Sequence, residues 1–300
     1  MSLPTAFVEK SQVPDLAFFL CGRYRLARHR PLVMGVLNVT PDSFSDGGQH
    51  FSPSAALDAA QLMKEQGVDI LDVGAESTRP GADPVSEDEE LKRLIPVLEG
   101  LQALSLPISL DSRRPRVVRQ GLDLGVDLIN DVTGFRDPDM QALLQLPQAK
   151  HCGVCIMHMQ GEPQTMQADP RYEHVVEEVF GFLTQQAKHL LAQGVDSERI
   201  LLDPGFGFGK TLHHNLALLN ALDKLAMHGH VLVGLSRKRM IGELTGHHGP
   251  PAERLGGSLA AALYAAFYKG VAVVRVHDVQ ATVQAFTLWN ALGVRAPAGS

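Results

Sequence analysis

The chain has little cysteine: Cys21, Cys152 and Cys155 are the only three in 300 residues. That is too few for a disulfide framework and suits a reducing compartment. Positive charge is not in excess either. Lys and Arg number 27 against 33 Asp and Glu, a formal net charge of -6, which argues against nucleic-acid binding driven by overall charge. No apolar run approaches the roughly 20 residues a membrane-spanning helix needs; Ser258–Tyr268, among the longest, stops well short. The opening MSLPTAFVEK lacks a basic segment followed by an apolar one, so no targeting signal is expected. These absences lead to the expectation of a soluble, cytoplasmic chain with no membrane or nucleic-acid partner.

What is present is an ordinary globular composition, 45% hydrophobic and 20% charged, which excludes a disordered chain. The length allows two domains or one α/β barrel of about 250 residues. Eight short apolar runs recur: Val33–Asn38, Asp69–Gly74, Pro107–Asp111, Asp127–Asn130, Gly153–His158, Ile200–Asp203, Val231–Ser236 and Val271–His277. Near-continuous apolar strands are buried on both faces of a parallel sheet. Amphipathic stretches lie between them, such as Ser54–Gln66 and Arg171–Gln193. Gly67, Gly125, Gly194 and Gly270 stand where helix C-caps belong. The string Gly-Val-Asp leads into a strand at Gly67 and Gly125 and is echoed at Gly194, a weak supersecondary repeat. Eight strand–helix units point to a (β/α)8 TIM barrel, with an open doubly wound sheet as the alternative. Residues 1–30 form an N-terminal extension in which Phe18–Tyr24 is expected as a hairpin closing the barrel bottom. No linker divides the chain, so 1–300 is read as a single domain with the barrel over 31–292.

Each apolar run ends in polar residues: Asn38, Glu76–Arg79, Asp111, Asn130–Asp131, His158, Asp203, Ser236–Lys238, and Arg275 with His277. In a barrel those ends converge on one face, where active sites sit. Asp111, Asn130 and Asp203 supply acceptors and an amide suited to a flat heterocycle rich in N–H groups. Arg79, Lys238, Arg275 and His277 supply positive charge suited to phosphate. Residues 275 and 277 share one strand face because the period is two. Two polar, turn-rich loops, Asn38–Gly48 and Glu76–Gly81, are candidate lids, the first carrying Phe44. No nucleophile–histidine pair of the hydrolase kind stands out.

Other features point away from chemistry. Gly205–Thr211 is like a P-loop, but Pro204 occupies the position of the required first glycine. Its glycines are expected to let backbone approach a ligand, with Phe208 as a wall. Cys152 and Cys155 have CxxC spacing, yet three residues apart on a strand they face opposite sides, so both read as structural thiols. The pairs His213–His214 and His247–His248 cannot both face one metal and read as surface; His158 is open to a role at the mouth. Arg237–Arg239 is too short a basic run for nucleic acid. The Ala-rich helix Pro251–Tyr268 is read as core or as a subunit interface.

Five strings carry a resemblance: NVTPDSFSDGG (38–48), ESTRPG (76–81), DPGFGFGK (203–210), SRK (236–238) and RVHDV (275–279). In their order and spacing they are similar to those of the dihydropteroate synthase family of pterin-binding barrels, over about Pro31–Leu292. The resemblance implies joining of (7,8-dihydropterin-6-yl)methyl diphosphate to 4-aminobenzoate, with Mg2+ as cofactor and release of diphosphate through a dissociative, cation-like step. It implies Asn38 as the Mg2+/diphosphate ligand, and Asp111, Asn130, Asp203 and Lys238 as the pterin pocket with Met157 as its apolar floor. Thr78, Arg79, Arg275 and His277 would serve diphosphate; Phe44, Pro80, Phe208 and Ser236 would serve 4-aminobenzoate, with Lys238 shared. Sulfonamides are expected inhibitors and a homodimer the expected assembly. Two other readings stay open, a pterin-binding methyltransferase barrel and a catalytically inactive homologue.

Overall fold

The computed structural model describes residues 16–40, 52–76, 85–161, 165, 166 and 169–293. Phe44, Thr78, Arg79 and Pro80 lie outside these residues. Among them, a two-stranded hairpin, β1 (Phe18–Cys21) and β2 (Tyr24–Ala27), precedes a closed barrel of parallel strands. These are β3 (Leu32–Asn38), β4 (Ile70–Gly74), β5 (Ile108–Asp111), β6 (Leu128–Asp131), β7 (Gly153–Met157), β8 (Ile200–Asp203), β9 (His230–Val233) and β10 (Val273–Val276). Each pairs with its sequence neighbour, and β10 closes on β3. The barrel is therefore the fold, and the open doubly wound sheet is excluded. Helices follow the strands around the outside: α1 (Pro53–Glu65), α2 (Glu87–Leu101), α3 (Pro115–Asp123), α4 (Pro138–Leu143), α5 (Val175–Ala192), α6 (Leu212–Asn220), α7 (Leu222–Ala226), α8 (Arg239–Thr245), α9 (Leu255–Leu263) and α10 (Val279–Ala291).

The two-residue period sorts the side chains into two cores. Val33, Leu71, Val73, Leu110, Ile129, Ile156, Leu202, Val231 and Val274 face outward, into the layer shared with the helices. Met34, Ile70, Leu128, Cys155, Leu201, Leu232 and Val273 face inward and fill the barrel axis. Cys152 belongs to the outer core and Cys155 to the inner one, so the CxxC pair is split as its spacing predicts. All three thiols are free and buried.

The hairpin closes the bottom, three residues longer than expected. Phe19 and Cys21 are fully buried against the inner core. The Gly-Val-Asp repeat has a concrete task at this end. Asp69 accepts the Val33 N–H at 2.7 Å, and Asp127 accepts the Ile108 N–H at 3.1 Å. Each carboxylate thus satisfies an orphan donor at the start of the neighbouring strand. The third copy does not: a 3-10 turn, Ser197–Arg199, separates Asp196 from β8.

Three boundaries differ from expectation. The helix expected from Arg171 begins at Val175 because the Gln160 side chain holds the Arg171 backbone, accepting its N–H at 3.0 Å and donating to its carbonyl at 2.7 Å. Strands β9 and β10 are shorter than the apolar runs: β9 pairs with β8 at His230 and Val231 and with β10 at Leu232 and Val233, and β10 pairs with β3 over Val273–Val276. The Ala-rich helix is broken into a 3-10 turn at Pro251–Arg254, α9, and a π-helical turn at Tyr264–Tyr268.

The turn of the hairpin gives a test. Gly22 has φ +58, and a Cβ there would collide with the side chain and backbone of Asp127. Gly22→Ala is expected to destabilise the fold by about 1–3 kcal/mol, read as a lower denaturation midpoint, while Michaelis constants stay unchanged because the bottom of the barrel is remote from the mouth.

Candidate active site

At the mouth, the inward-facing positions turn polar. Asp72, midway along β4, is fully buried and shares its face with Ile70. It accepts the Ser109 hydroxyl at 2.5 Å and the Asn130 amide at 3.3 and 3.4 Å. Arg275 of β10 reaches across the barrel to it, donating Nε to Asp72 at 2.6 Å and Nη2 to Asp111 of β5 at 2.8 Å. The guanidinium is thus a bridge between two carboxylates, with 23% of its side chain exposed. A fork of fixed geometry suits this double engagement, which a lysine could not reproduce.

The electrostatics follow from burial. Burial pushes the Asp111 carboxyl up to about 7, against the pull of Arg275, while Asp72 and Glu90 push it further. Arg275 stays charged: desolvation works against its charge, but Asp72 and Asp111 outweigh it. Asp203, at the end of β8, is raised to about 6 by burial, offset by the Gly205 N–H it accepts at 2.8 Å and by Lys238, Arg275 and Lys210.

The remaining candidates group on the adjacent strands. Met157 at the end of β7 packs with Val132, Met159, Met166 and Phe208. The Lys238 ammonium lies 4.4 Å from the Phe208 ring centroid, a cation–π contact. Ser236 Oγ lies 3.2 Å from His277 Nδ1 and accepts the His277 N–H at 3.3 Å. Asn38 ends β3, half-buried, in register with Gly74. Glu76, where the second long loop begins, accepts from Arg113 at 3.4 Å and Arg114 at 3.0 Å.

The amide expected of Asn130 for a heterocycle directs its Nδ2 at Asp72, and Asn130 stands in register with Asp111. Two expectations need correction. The glycines of the 205–209 loop accommodate protein backbone: a Cβ at Gly209 would meet the Gln160 carbonyl at 2.5 Å, and one at Gly205 would strike that of His158. The histidines are structural as well as solvated, since His214 completes the N-terminal capping box of α6 with Thr211 and His247 pairs with Glu253 at 2.8 Å. The basic run disperses, with Arg237 paired to Asp278 at 2.6 Å and Arg239 to Glu243 at 2.6 Å.

Two residues escaped the sequence reading. Asp72 sits in the middle of a run otherwise apolar, and its signal is parity: it is inward-facing, in step with Ile70. Lys210 was visible only as the lysine of a false P-loop.

Comparison with known proteins agrees with this geometry. The model of the pterin binding enzyme family matches residues 34–277. Dihydropteroate synthase of Neisseria meningitidis serogroup C is 49% identical over 278 residues, covering 91% of this chain and 96% of its own. The structure of the Xanthomonas albilineans dihydropteroate synthase with 4-aminobenzoic acid superposes with a TM-score of 0.84 at 45% identity, covering 93% of this chain and 98% of that one. That of the Burkholderia cenocepacia enzyme complexed with 7,8-dihydropteroate gives 0.82 at 47% identity, covering 92% and 96%.

The buried cluster gives a direct test. Asp72→Ala leaves a hydroxyl, an amide and a guanidinium without their shared acceptor. Loss of one partner of a buried ion pair costs about 3–5 kcal/mol, so urea unfolding should shift accordingly; a shift under about 1 kcal/mol would contradict the cluster.

With an inward-facing polar mouth on a closed parallel barrel, and this degree of identity along nearly the whole chain, the protein belongs to the pterin-binding enzymes, within the dihydropteroate synthase family.

Proposed function

We infer that the protein is a transferase of folate biosynthesis, joining (7,8-dihydropterin-6-yl)methyl diphosphate to 4-aminobenzoate to give 7,8-dihydropteroate and diphosphate. The observation that carries the reading is the alternation of inward carboxylates and cations at one mouth: Asp111 and Asp203 beside Arg275 and Lys238. Carboxylates suit the N–H edge of a pterin, and the cations suit a departing anion. A methyltransferase barrel needs no such cations for a leaving diphosphate, and an inactive homologue would not be expected to keep both sets.

The C–O bond between the pterin methylene and diphosphate breaks, and its electron pair leaves with diphosphate. Positive charge on the methylene is delocalised into the ring. The ionised Asp111 opposes it with negative charge, while Arg275 stabilises the departing anion. The arylamine nitrogen then donates its lone pair to carbon, and its proton passes to diphosphate or solvent. A neutral aniline is nucleophilic at pH 7, so no strong base is required. His277 and Ser236 flank the same strand ends, and Phe208 with Lys238 lines the arylamine side. A sulfonamide presents an aniline and an acidic group of like spacing and would compete there.

Mg2+ fits as a companion of the diphosphate. Among the described residues no group of three or more His, Cys, Asp or Glu could hold a metal, and Mg2+ commonly keeps water and substrate phosphate as most of its ligands. Asn38 would offer a single side-chain oxygen; bound there, the ion would neutralise charge on the leaving group.

A homodimer is proposed on a different footing from the small residues of the Ala-rich segment. Of its alanines, Ala262, Ala265 and Ala266 are buried, Ala261 is half-buried and Ala260 is exposed. The outward apolar surface is Leu255, Tyr268, Leu288 and Leu292, the last two more than 60% exposed, beside the stacked Tyr264 and Tyr268. Leu288→Lys together with Leu292→Lys should lower the mass in solution, by light scattering, to that of a monomer; an unchanged mass would place any interface elsewhere. A single-domain, cytosolic enzyme remains the reading: the free thiols suit a reducing compartment, and among the described residues no helix is long and apolar enough to cross a membrane.

Mixing protein, dihydropterin diphosphate, 4-aminobenzoate and Mg2+ should release diphosphate in step with pteroate; no release would overturn the reading. Its pH dependence follows from Asp111. As pH falls through about 7 the carboxyl takes a proton, its negative charge opposite the methylene is lost, and turnover should fall about tenfold per pH unit. Asp111→Asn should abolish that acid limb and reduce turnover. A flat profile from about pH 5.5 to 8 would remove Asp111 from the charge-stabilising role.

A further inference from the structure

Lys210 is 3% exposed, although it follows a glycine-rich loop at the rim. Its ammonium donates to the carbonyls of Phe208 at 2.9 Å, Gly205 at 3.0 Å and His158 at 3.2 Å, and lies 3.1 Å from His158 Nδ1. Burial, then Lys210 and Arg136, push the His158 ring down to about 3, so it is neutral and able to accept. Three carbonyl dipoles converge on one point. Burial pushes the Lys210 ammonium down to about 7, and its N–H donors are what hold these oxygens together.

Within the loop the Gly205 N–H donates to Asp203 at 2.8 Å and the Phe208 N–H to the Gly205 carbonyl at 3.1 Å. Gly205, Gly207 and Gly209 all have positive φ, a backbone path with little preference of its own. It is pressed against the 158–160 segment, as the collisions of added Cβ atoms show. Outer contacts, Gly207 N–H to Asn215 at 2.9 Å and the Tyr172 hydroxyl to the Gly209 carbonyl at 3.0 Å, fix its flanks. Lys210 gathers the carbonyls on both sides of Phe208 and ties them to the neighbouring strand end. The Phe208 ring lies over Lys238 and against Met157, Met159 and Met166.

We propose that Lys210 is a positioning residue of the synthase reaction: its buried ammonium, caged by the His158, Gly205 and Phe208 carbonyls, sets Phe208 as the wall of the arylamine site. The cage turns the ammonium onto backbone carbonyls, so apart from its electrostatic pull on Asp203 it acts through Phe208. The inference rests on the assignment of Phe208 to the arylamine side.

Lys210→Met keeps the length of the side chain and removes the donors. It should raise the Michaelis constant for 4-aminobenzoate about tenfold or more while that for dihydropterin diphosphate moves less than about threefold. Lys210→Gln, which retains two N–H donors, should fall between Met and the parent, and it carries the test should the Met variant not fold. Phe208→Ala is the reference. If Phe208→Ala raises the arylamine constant and a folded Lys210 variant leaves it unchanged, or moves both constants equally, the positioning role is refuted. If Phe208→Ala itself leaves that constant unchanged, the site assignment is refuted and the inference falls with it.

Discussion

The site depends on a guanidinium held between two carboxylates. Arg275 crosses the barrel from the last strand to Asp72 on the second and Asp111 on the third, at 2.6 and 2.8 Å. A buried carboxylate without a partner costs several kcal/mol, so neither acid could occupy the barrel interior alone. The arginine stabilises both, and they orient it. Because the same fork faces the mouth, the group that accommodates the buried acids is also placed to meet an anion. The two acids have unequal tasks. Asp72 is sealed by Ser109 and Asn130, while Asp111 makes its bond to Arg275 from the rim.

This constraint explains why the interior is layered. Below, Met34, Ile70, Leu128, Leu201 and Val273 fill the axis with apolar volume, and the hairpin plugs the end. Above them Asp72, Ser109 and Asn130 form a polar layer whose donors and acceptors satisfy one another, as a low-dielectric interior requires. Above that, Asp111, Met157, Asp203 and Arg275 line the mouth. Asp72, Asn130, Asp203 and Arg275 each stand two residues beyond an apolar inward residue of the same strand, Ile70, Leu128, Leu201 and Val273. A shift of one residue in any strand would exchange this set for the aliphatic side chains of the outer core.

Much of this was legible in the residues. Strand starts, the closed topology, the split of Cys152 from Cys155 and the shared face of residues 275 and 277 all follow from the two-residue period and from apolar run length. The family resemblance rests on strings at strand ends, and most of them lie where the barrel converges. What was not legible is partnership across strands. Asn130 reads as a free amide until Asp72 is found opposite it. Arg275 reads as a phosphate ligand, and its two carboxylate partners are not visible in the sequence. The glycines at 205–209 read as space for a ligand, and the second segment at 158–160 that they accommodate is some 50 residues distant in sequence. The Gly-Val-Asp echo at Gly194 could not be told from its two working copies, because the difference is a turn inserted before the strand.

The account therefore makes the pterin side and the diphosphate side one electrostatic unit, joined at Arg275. A double-mutant cycle of Asp111→Asn and Arg275→Met, read as kcat/KM for dihydropterin diphosphate, measures that union directly. The account predicts that the double variant loses far less than the product of the single losses, a coupling of about 1.4 kcal/mol or more, tenfold in rate. Losses that multiply to within about twofold would show two independent residues and would contradict it.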